Sequence, residues 1–193
     1  MRIAVRPVKG LTTILAAGVF AAAAGFAVFD TAVPAYALGP GDVCLFNAPS
    51  GADVGLVAFG HVGWGYQIGG TSTWLFGATE SPTYHWHSSG SETTMLADFA
   101  NADYGHSANY YTQYKCQGTD SSAVRAASVA VSTGESNGYN GLTNNCLTKS
   151  VAIFNAYYPF GLYWGGYEGP NYYFDHLNWS GPFTLNGTPT GPR

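Results

Sequence analysis

The segment 134–159 joins a Gly- and Asn-rich loop to a helical pattern, and it constrains the fold more than any other part of this chain. Four apolar residues after the loop recur at the spacing of one helical face: Leu147, Val151, Phe154 and Tyr158. Pro159 follows them and cannot continue a helical hydrogen-bond ladder. The pattern therefore predicts a helix between the loop and Pro159.

Cys146 stands in the first turn of this predicted helix. Asn144 or Asn145 is suited to cap the helix, because an asparagine side chain can accept a hydrogen bond from a first-turn amide. The positive end of the helix dipole stabilises a thiolate and so lowers the pKa of a cysteine placed there. Two interpretations of Cys146 remain open at this point: a nucleophile, or a small residue that packs in the core.

Residues 1–37 have the composition of a signal peptide. Three basic residues precede an almost uncharged apolar run over 11–29, and Ala35-Tyr36-Ala37 follows as a small-x-small cleavage pattern. We expect this segment to be removed and the mature chain, 38–193, to be secreted without stable insertion in a membrane. The alternative is an N-terminal membrane anchor, since an apolar run of this length can span a bilayer.

The composition of the chain limits its partners. Only 9% of the residues are charged, whereas 16% are aromatic. No basic patch is visible, which argues against nucleic acid as a partner. Few charges with many Tyr, Trp, Gly, Asn and Thr residues are common in exported proteins that contact carbohydrate or cell wall. The segment 38–193 is long enough for one domain with a core of its own.

Three cysteines remain in the predicted mature chain: Cys44, Cys116 and Cys146. In an oxidising compartment an odd number leaves one thiol unpaired or shared with another chain. Cys44 and Cys116 both lie in strand-like segments, so a disulfide between two strands is one possible pairing. Cys146 would then be the free thiol, but the sequence does not determine the connectivity.

A β-hairpin is predicted between residues 61 and 80. Along His61–Ile68, apolar residues alternate with a histidine, two glycines and a glutamine, so one face of the strand is apolar and the other is nearly bare. Gly69-Gly70 forms the turn, and Thr73–Glu80 returns as the partner strand. Two registers are compatible with this turn, with Glu80 either directly opposite His61 or diagonal to it. In both registers the carboxylate shares the face of the histidine.

The other segments are predicted from capping and strand patterns. Asp120 is expected to cap a helix over 121–133 that ends at Gly134. Strand character is predicted at Tyr172–Leu177, and 178–193 is expected to be a loop-like tail. His85-x-His87 offers two potential metal ligands, but no third or fourth ligand stands at a suitable spacing. We therefore predict a surface strand there, with no metal site and no cofactor.

A cysteine nucleophile needs a base to take its proton and a third polar group to orient that base. Cys146, His61 and Glu80 supply these three roles. The histidine precedes the cysteine in this chain, whereas papain-like proteases have the cysteine first.

This order, over about residues 58–158, resembles the circularly permuted papain-like superfamily. That group includes the lecithin:retinol acyltransferase-like proteins and bacterial relatives akin to the NlpC-type cell-wall peptidases. The resemblance is carried by Gly60-His61-Val62-Gly63-Trp64 on the predicted strand, and by Gly138-Tyr139 and Asn145-Cys146 before the predicted helix.

This chain departs from the family pattern at two places. The third polar residue usually lies a few positions earlier in the return strand, where Phe76 and Gly77 stand here. The acidic or histidine residue that often follows the family's cysteine is replaced by Leu147-Thr148. The departures leave the identity of the third residue and the subfamily open.

The resemblance implies an α+β fold of the permuted papain-like type. In that fold an antiparallel sheet or half-barrel packs against the helix that carries Cys146. We expect this helix to cross the face of the His61 strand that carries Gly63 and Gly65, because any larger side chain there would push the helix away.

The resemblance also implies acyl transfer through a thioester. Cys146 would be the nucleophile, His61 the base, and the Cys146 backbone amide an oxyanion donor, with Tyr139 or Asn145 as a second donor. Peptide, cell-wall or other acyl substrates fit this chemistry, and the hydrolase and acyltransferase alternatives stay open. A different class of function is also compatible with the composition: a secreted, non-catalytic, aromatic-rich module that binds glycan or a protein partner.

Overall fold

The structure is a computed structural model, and it describes residues 40–54, 57–101, 107, 109–163 and 169–185. The predicted signal peptide, 1–37, and the end of the predicted tail, 186–193, lie outside the described residues.

The described residues form strands and helices in an α+β arrangement. The strands are β1 (Gly41–Ala48), β2 (Asp53–Val54), β3 (Val57–Ala58), β4 (His61–Gln67), β5 (Thr73–Thr79), β6 (His85–Ser91), β7 (Gln113–Thr119) and β8 (Ser180–Thr184). The helices are α1 (Glu92–Ala100), α2 (Val124–Ser136), α3 (Cys146–Tyr157) and α4 (Pro170–His176).

Six of the strands build one open antiparallel sheet, in the order β6-β5-β4-β1-β7-β8. β2 and β3 pair separately as a short hairpin. The β4–β5 pair follows the first of the two predicted registers, since Trp64 lies opposite Gly77 and Gln67 opposite Trp74. The α+β class and a sheet packed against the cysteine-bearing helix are thus confirmed.

Both faces of the sheet are covered, because apolar side chains alternate along the central strands and point to opposite sides. On one face α2, α3 and α4 pack against β1 and β4; residues of this core include Val43, Leu45, Val62, Trp64, Tyr66, Val131, Cys146, Leu147, Phe154 and Phe174. On the other face α1 packs against β1, β5 and β6; residues of that core include Phe46, Phe76, Trp86, Met95, Phe99, Tyr111 and Tyr114.

The packing of the β4 glycines corrects one prediction. A Cβ atom on Gly63 would lie 2.5 Å from the ring of Phe99, and one on Gly65 would lie 2.5 Å from the sulfur of Met95. Phe99 and Met95 belong to α1, so this helix occupies the glycine-bearing face. The Cys146 helix packs on the opposite face of β4, where Val62, Trp64 and Tyr66 form the apolar surface that it covers.

Several predicted boundaries also differ from the structure. α2 begins at Val124 without a side-chain cap and runs past Gly134 to Ser136. The segment predicted as a strand at Tyr172–Leu177 is mostly helix α4, which begins with Pro170 in its first turn, where proline suits a helix. Part of the expected loop-like tail, 178–193, is strand β8, which pairs with β7.

A disulfide joins Cys44 and Cys116, which lie directly opposite each other in β1 and β7. Cys146 is the free cysteine among the described residues, and it is buried. This pairing is one that the strand-like contexts allowed. A structural disulfide is typical of proteins outside the reducing cytoplasm. None of the helices in the described part of the chain has the length and apolar character needed to cross a lipid bilayer.

Gly63→Ala tests the close approach of α1. The added methyl has no room beside Phe99, so we expect a loss of about 1–3 kcal/mol in the free energy of unfolding, the usual effect of overpacking. Gly141→Ala is the matched control, because no heavy atom lies within 4 Å of its added Cβ. Urea denaturation of both variants checks this, and equal stabilities would contradict the close packing of Phe99 on Gly63.

Candidate active site

His61 is the first residue of β4 and is only 2% exposed. Its Nε2 atom lies 2.9 Å from Oε2 of Glu80. The register of β4 and β5, extended to the ends of the strands, places these residues opposite each other. The carboxylate oxygen sits off the direction of the ring N–H, so the contact is a close charge pair rather than an aligned hydrogen bond.

Glu80 follows β5 directly and is held by further donors on its other oxygen. The indole Nε1 of Trp86 donates to Oε1 at 2.7 Å, and the hydroxyl of Tyr111 donates to the same atom at 2.9 Å. Burial by itself raises the pKa of Glu80, but His61 and these two donors outweigh it and hold the pKa below its usual value. The carboxylate therefore stays ionised beside the histidine.

Cys146 is the first residue of α3 and is 3% exposed. Its sulfur meets the end of β4, where it contacts His61 and the backbone N–H of Val62. Burial raises the pKa of the thiol, but the charge and hydrogen bond of His61, together with the Val62 N–H, lower it below the ordinary cysteine value. The helix N-terminus and the first residue of the strand thus bring the two predicted partners together.

The same contacts change the proton affinity of the histidine. Burial lowers the pKa of His61, but Cys146 and Glu80 outweigh burial and raise it to about 10. Since Glu80 faces Nε2, the other ring nitrogen, Nδ1, is the one left for the sulfur. A lowered thiol pKa beside a raised imidazole pKa favours a thiolate–imidazolium pair near neutral pH.

Tyr139 lies at the same point, in the loop before α3. Its phenol hydrogen-bonds with the side chain and the backbone of Cys146. Burial and the charge of Cys146 raise the pKa of Tyr139 well above its usual value, so the hydroxyl keeps its proton. Lys149 of α3 stabilises this loop, because its ammonium donates to the carbonyls of Gly134 and Gly138 and to the side chain of Asn137.

Asn145 is the N-cap of α3. Its side-chain oxygen accepts from Leu147 N at 3.0 Å and from Thr148 N at 3.1 Å, while its amide donates to the carbonyl of Gly141 at 3.1 Å. The Thr148 hydroxyl accepts from Asn145 N in return, which completes a capping box. The described contacts of the Asn145 side chain thus orient the first turn of the helix. Of the two predicted second oxyanion donors, Tyr139 is the one whose side chain contacts Cys146.

Trp86, Tyr111 and Lys149 are site residues that the sequence reasoning missed. Trp86 and Tyr111 reach Glu80 from β6 and from the segment before β7, so only the folded sheet brings them together. A signal for Lys149 did exist, since it is a lysine on the predicted helix one turn after Cys146. Lysine side chains are mostly exposed in proteins, but that of Lys149 is buried and donates to loop carbonyls.

His85 and His87 lie on β6, and their surroundings are not those of metal ligands. His85 is exposed, and Nδ1 of His87 lies 2.6 Å from Glu135 of α2. Within the described ranges, no group of three or more His, Cys, Asp or Glu side chains is placed to hold a metal ion.

In comparisons with known proteins, no family model, curated protein or solved structure matches this chain. Inferences about its chemistry therefore rest on the residues and geometry of the site.

The pH dependence of Cys146 alkylation tests the charge pair. Because the pKa of Cys146 is lowered, we expect iodoacetamide to react with half-maximal rate below pH 8.5, about the ordinary cysteine pKa. His61→Ala removes the cation while burial remains, so the midpoint should rise. The Cys44–Cys116 disulfide leaves Cys146 as the reporting thiol in the absence of reductant. A wild-type midpoint at or above pH 8.5 would contradict the pair.

The cap is tested by Asn145→Ala and Asn145→Ser. Alanine removes the acceptor for Leu147 N and Thr148 N and should cost about 1 kcal/mol of unfolding free energy. Serine also lacks the amide but can still cap, so it should recover part of this loss. Thermal or urea denaturation measures both, and equal losses would show that the cap contributes little.

Proposed function

We propose that this chain is an exported cysteine-dependent acyl-transfer enzyme, a hydrolase or an acyltransferase, of the permuted papain-like type. The observation that carries the proposal is the buried cluster at the end of β4. There Cys146 at a helix N-terminus contacts His61, and Glu80 lies 2.9 Å from the far side of the imidazole. The cluster supplies a nucleophile, a base and a group that orients the base, and each of the three contacts the next.

In the proposed reaction the thiolate of Cys146 attacks the carbonyl carbon of an amide or ester. A carbon–sulfur bond forms, and the carbonyl electron pair moves to oxygen. When the tetrahedral intermediate collapses, the bond to the leaving group breaks and His61 delivers its proton to that group. His61 then takes a proton from water or another nucleophile, which attacks the thioester carbonyl. The carbon–sulfur bond breaks, the acyl product leaves, and the thiolate and the imidazolium are restored.

The donors near the sulfur suit the oxyanion of this intermediate. The cap oxygen of Asn145 binds the amides of Leu147 and Thr148, so the Cys146 N–H is not taken by the cap. This N–H is hydrogen-bonded to the Tyr139 phenol, and an oxyanion that takes the place of this contact can accept from both the N–H and the hydroxyl. Glu80, fixed by Trp86 and Tyr111, keeps the imidazole oriented and charged.

Two features favour a location outside the cytoplasm and a substrate found there. The Cys44–Cys116 disulfide fits an oxidising compartment, and residues 1–37 have the composition of a signal peptide. Within the proposed family type, cell-wall peptides are the substrates that such a location favours.

The packing of the aromatic residues bears on the alternative, a binding module. Its main support was the aromatic content, but many of these side chains fill the two cores or surround His61. The described tyrosines with large exposure are Tyr84, Tyr163 and Tyr172. Core packing therefore accounts for much of the composition that suggested ligand binding.

Acyl-enzyme formation tests the proposed function. With p-nitrophenyl acetate we expect a burst of p-nitrophenol and an acetyl group on the Cys146 peptide by mass spectrometry. Cys146→Ala should abolish both, and His61→Ala should lower the acylation rate about 10²–10⁴-fold, the usual contribution of a general acid–base group. Glu80→Gln should have a smaller effect, because the base itself remains.

The control is Tyr163→Phe, which removes a hydroxyl from a side chain that is 83% exposed. It should acylate like the wild type. Acylation that persists in Cys146→Ala would remove the cysteine mechanism. A wild-type protein that forms no acyl-enzyme with this ester or with peptide amides would leave the binding module as the better interpretation.

A further inference from the structure

The turn after β1, residues 49–52, packs directly on the catalytic histidine of the proposed site. A Cβ atom on Gly51 would lie 2.4 Å from Cβ of His61, so the backbone of this turn touches the base of the imidazole side chain. The turn is also tied to the residues before His61, since Ala52 O accepts from Phe59 N at 2.8 Å and from Gly60 N at 3.0 Å.

Tyr110 hydrogen-bonds to this turn on the side that faces the site. Its hydroxyl donates to the carbonyl of Gly51 at 2.9 Å. A Cβ atom on Gly51 would lie 2.8 Å from the hydroxyl oxygen of Tyr110. The centroid of its ring is 6.2 Å from that of His61. The phenol and the turn therefore enclose the histidine together, and Gly51 is the residue that lets both approach.

The neighbouring tyrosine has a different partner. Tyr111 donates to Glu80, and its ring lies edge-on to Tyr110 at 5.1 Å and 6.1 Å from the imidazole. Two consecutive tyrosines thus act on His61 by separate routes. Tyr111 acts through the carboxylate at Nε2, whereas Tyr110 acts through the turn at the base of the side chain.

We propose that Tyr110 and Gly51 are positioning residues for His61: the Tyr110–Gly51 hydrogen bond holds the 49–52 turn against the histidine and keeps its ring in contact with Cys146. The inference rests on the proposed function only for the role of that contact in acyl transfer. The physical reason is packing, because a side chain enclosed on several sides keeps one rotamer, and Glu80 by itself holds only the far end of the ring.

The turn keeps other ties when this bond is lost. Asn171 donates to the carbonyl of Pro49 at 2.9 Å, and Gly51 N donates to Ala48 O at 2.9 Å. Tyr110→Phe is therefore expected to fold, with an effect confined to the position of the imidazole.

The test measures Cys146 alkylation by iodoacetamide as a function of pH, which needs no substrate. The ionisable groups that interact electrostatically with the sulfur are His61, Glu80, Tyr139, Tyr111 and Tyr110 itself. Burial raises the pKa of Tyr110, so its phenol is neutral at the pH of the test and Tyr110→Phe removes no charge. We expect Tyr110→Phe to move the alkylation midpoint upward and to lower the rate at mildly acidic pH about fivefold, an effect the size of one hydrogen bond. Gly51→Ala should act in the same direction, because its methyl displaces the turn or the histidine.

Tyr163→Phe serves as the matched control and should leave the profile unchanged. Circular dichroism identifies a temperature at which all variants are folded, so a loss of reactivity there reports the site rather than global unfolding. A separate NMR measurement of the ¹⁵N shifts of His61 should show a changed imidazole environment in Tyr110→Phe.

The outcomes separate the two proposals. A wild-type midpoint below the ordinary cysteine pKa that is unchanged in Tyr110→Phe would overturn the positioning role and leave the proposed function in place. A wild-type midpoint at the ordinary value would contradict the charge pair and with it the positioning role, whereas the proposed function is decided separately by acyl-enzyme formation. If Gly51→Ala does not fold, Tyr110→Phe alone decides.

Discussion

The contact between Cys146 and His61 is the interaction on which the rest of the site depends. Ions buried away from water are costly unless they are paired and hydrogen-bonded, and both of these residues are almost fully buried. The pair is therefore stable only with a complete set of partners. Glu80 supplies the counter-charge for the imidazole, and the helix N-terminus and the Val62 N–H stabilise the thiolate. Removing any one of these partners leaves a charge that the others cannot fully compensate.

The architecture explains how these partners reach one point. An antiparallel sheet covered on both faces places α3 against the apolar side of β4, while His61 and Glu80 share the other side. The two sides meet at the end of the strand, and there the first residue of β4 faces the first residue of α3. Aromatic and backbone groups of the opposite core, including Tyr110 and Tyr111, then enclose the histidine.

Much of this could be predicted from local patterns, and the errors have physical causes. The turn at Gly69-Gly70 limited the hairpin to two registers, and both placed Glu80 on the face of His61. The glycines of β4 indicated correctly that an element approaches closely, but an absent side chain does not identify what fills the space, and the neighbour is α1 instead of the cysteine helix. At Tyr172–Leu177, β-prone tyrosines suggested a strand, whereas Pro170 and packing against the sheet favoured a helix.

The sequence by itself determined the elements whose signals are local. Helical spacing and Pro159 placed α3, an asparagine cap placed Cys146 in its first turn, and alternation placed His61 on a strand. Tertiary structure alone decided which side of the sheet α3 covers, that Trp86 and Tyr111 hold Glu80, and that Lys149 is buried under the loop of Tyr139. The reason is that capping, periodicity and turn geometry act between neighbours in the chain, whereas these contacts join residues that are close only after the sheet has formed.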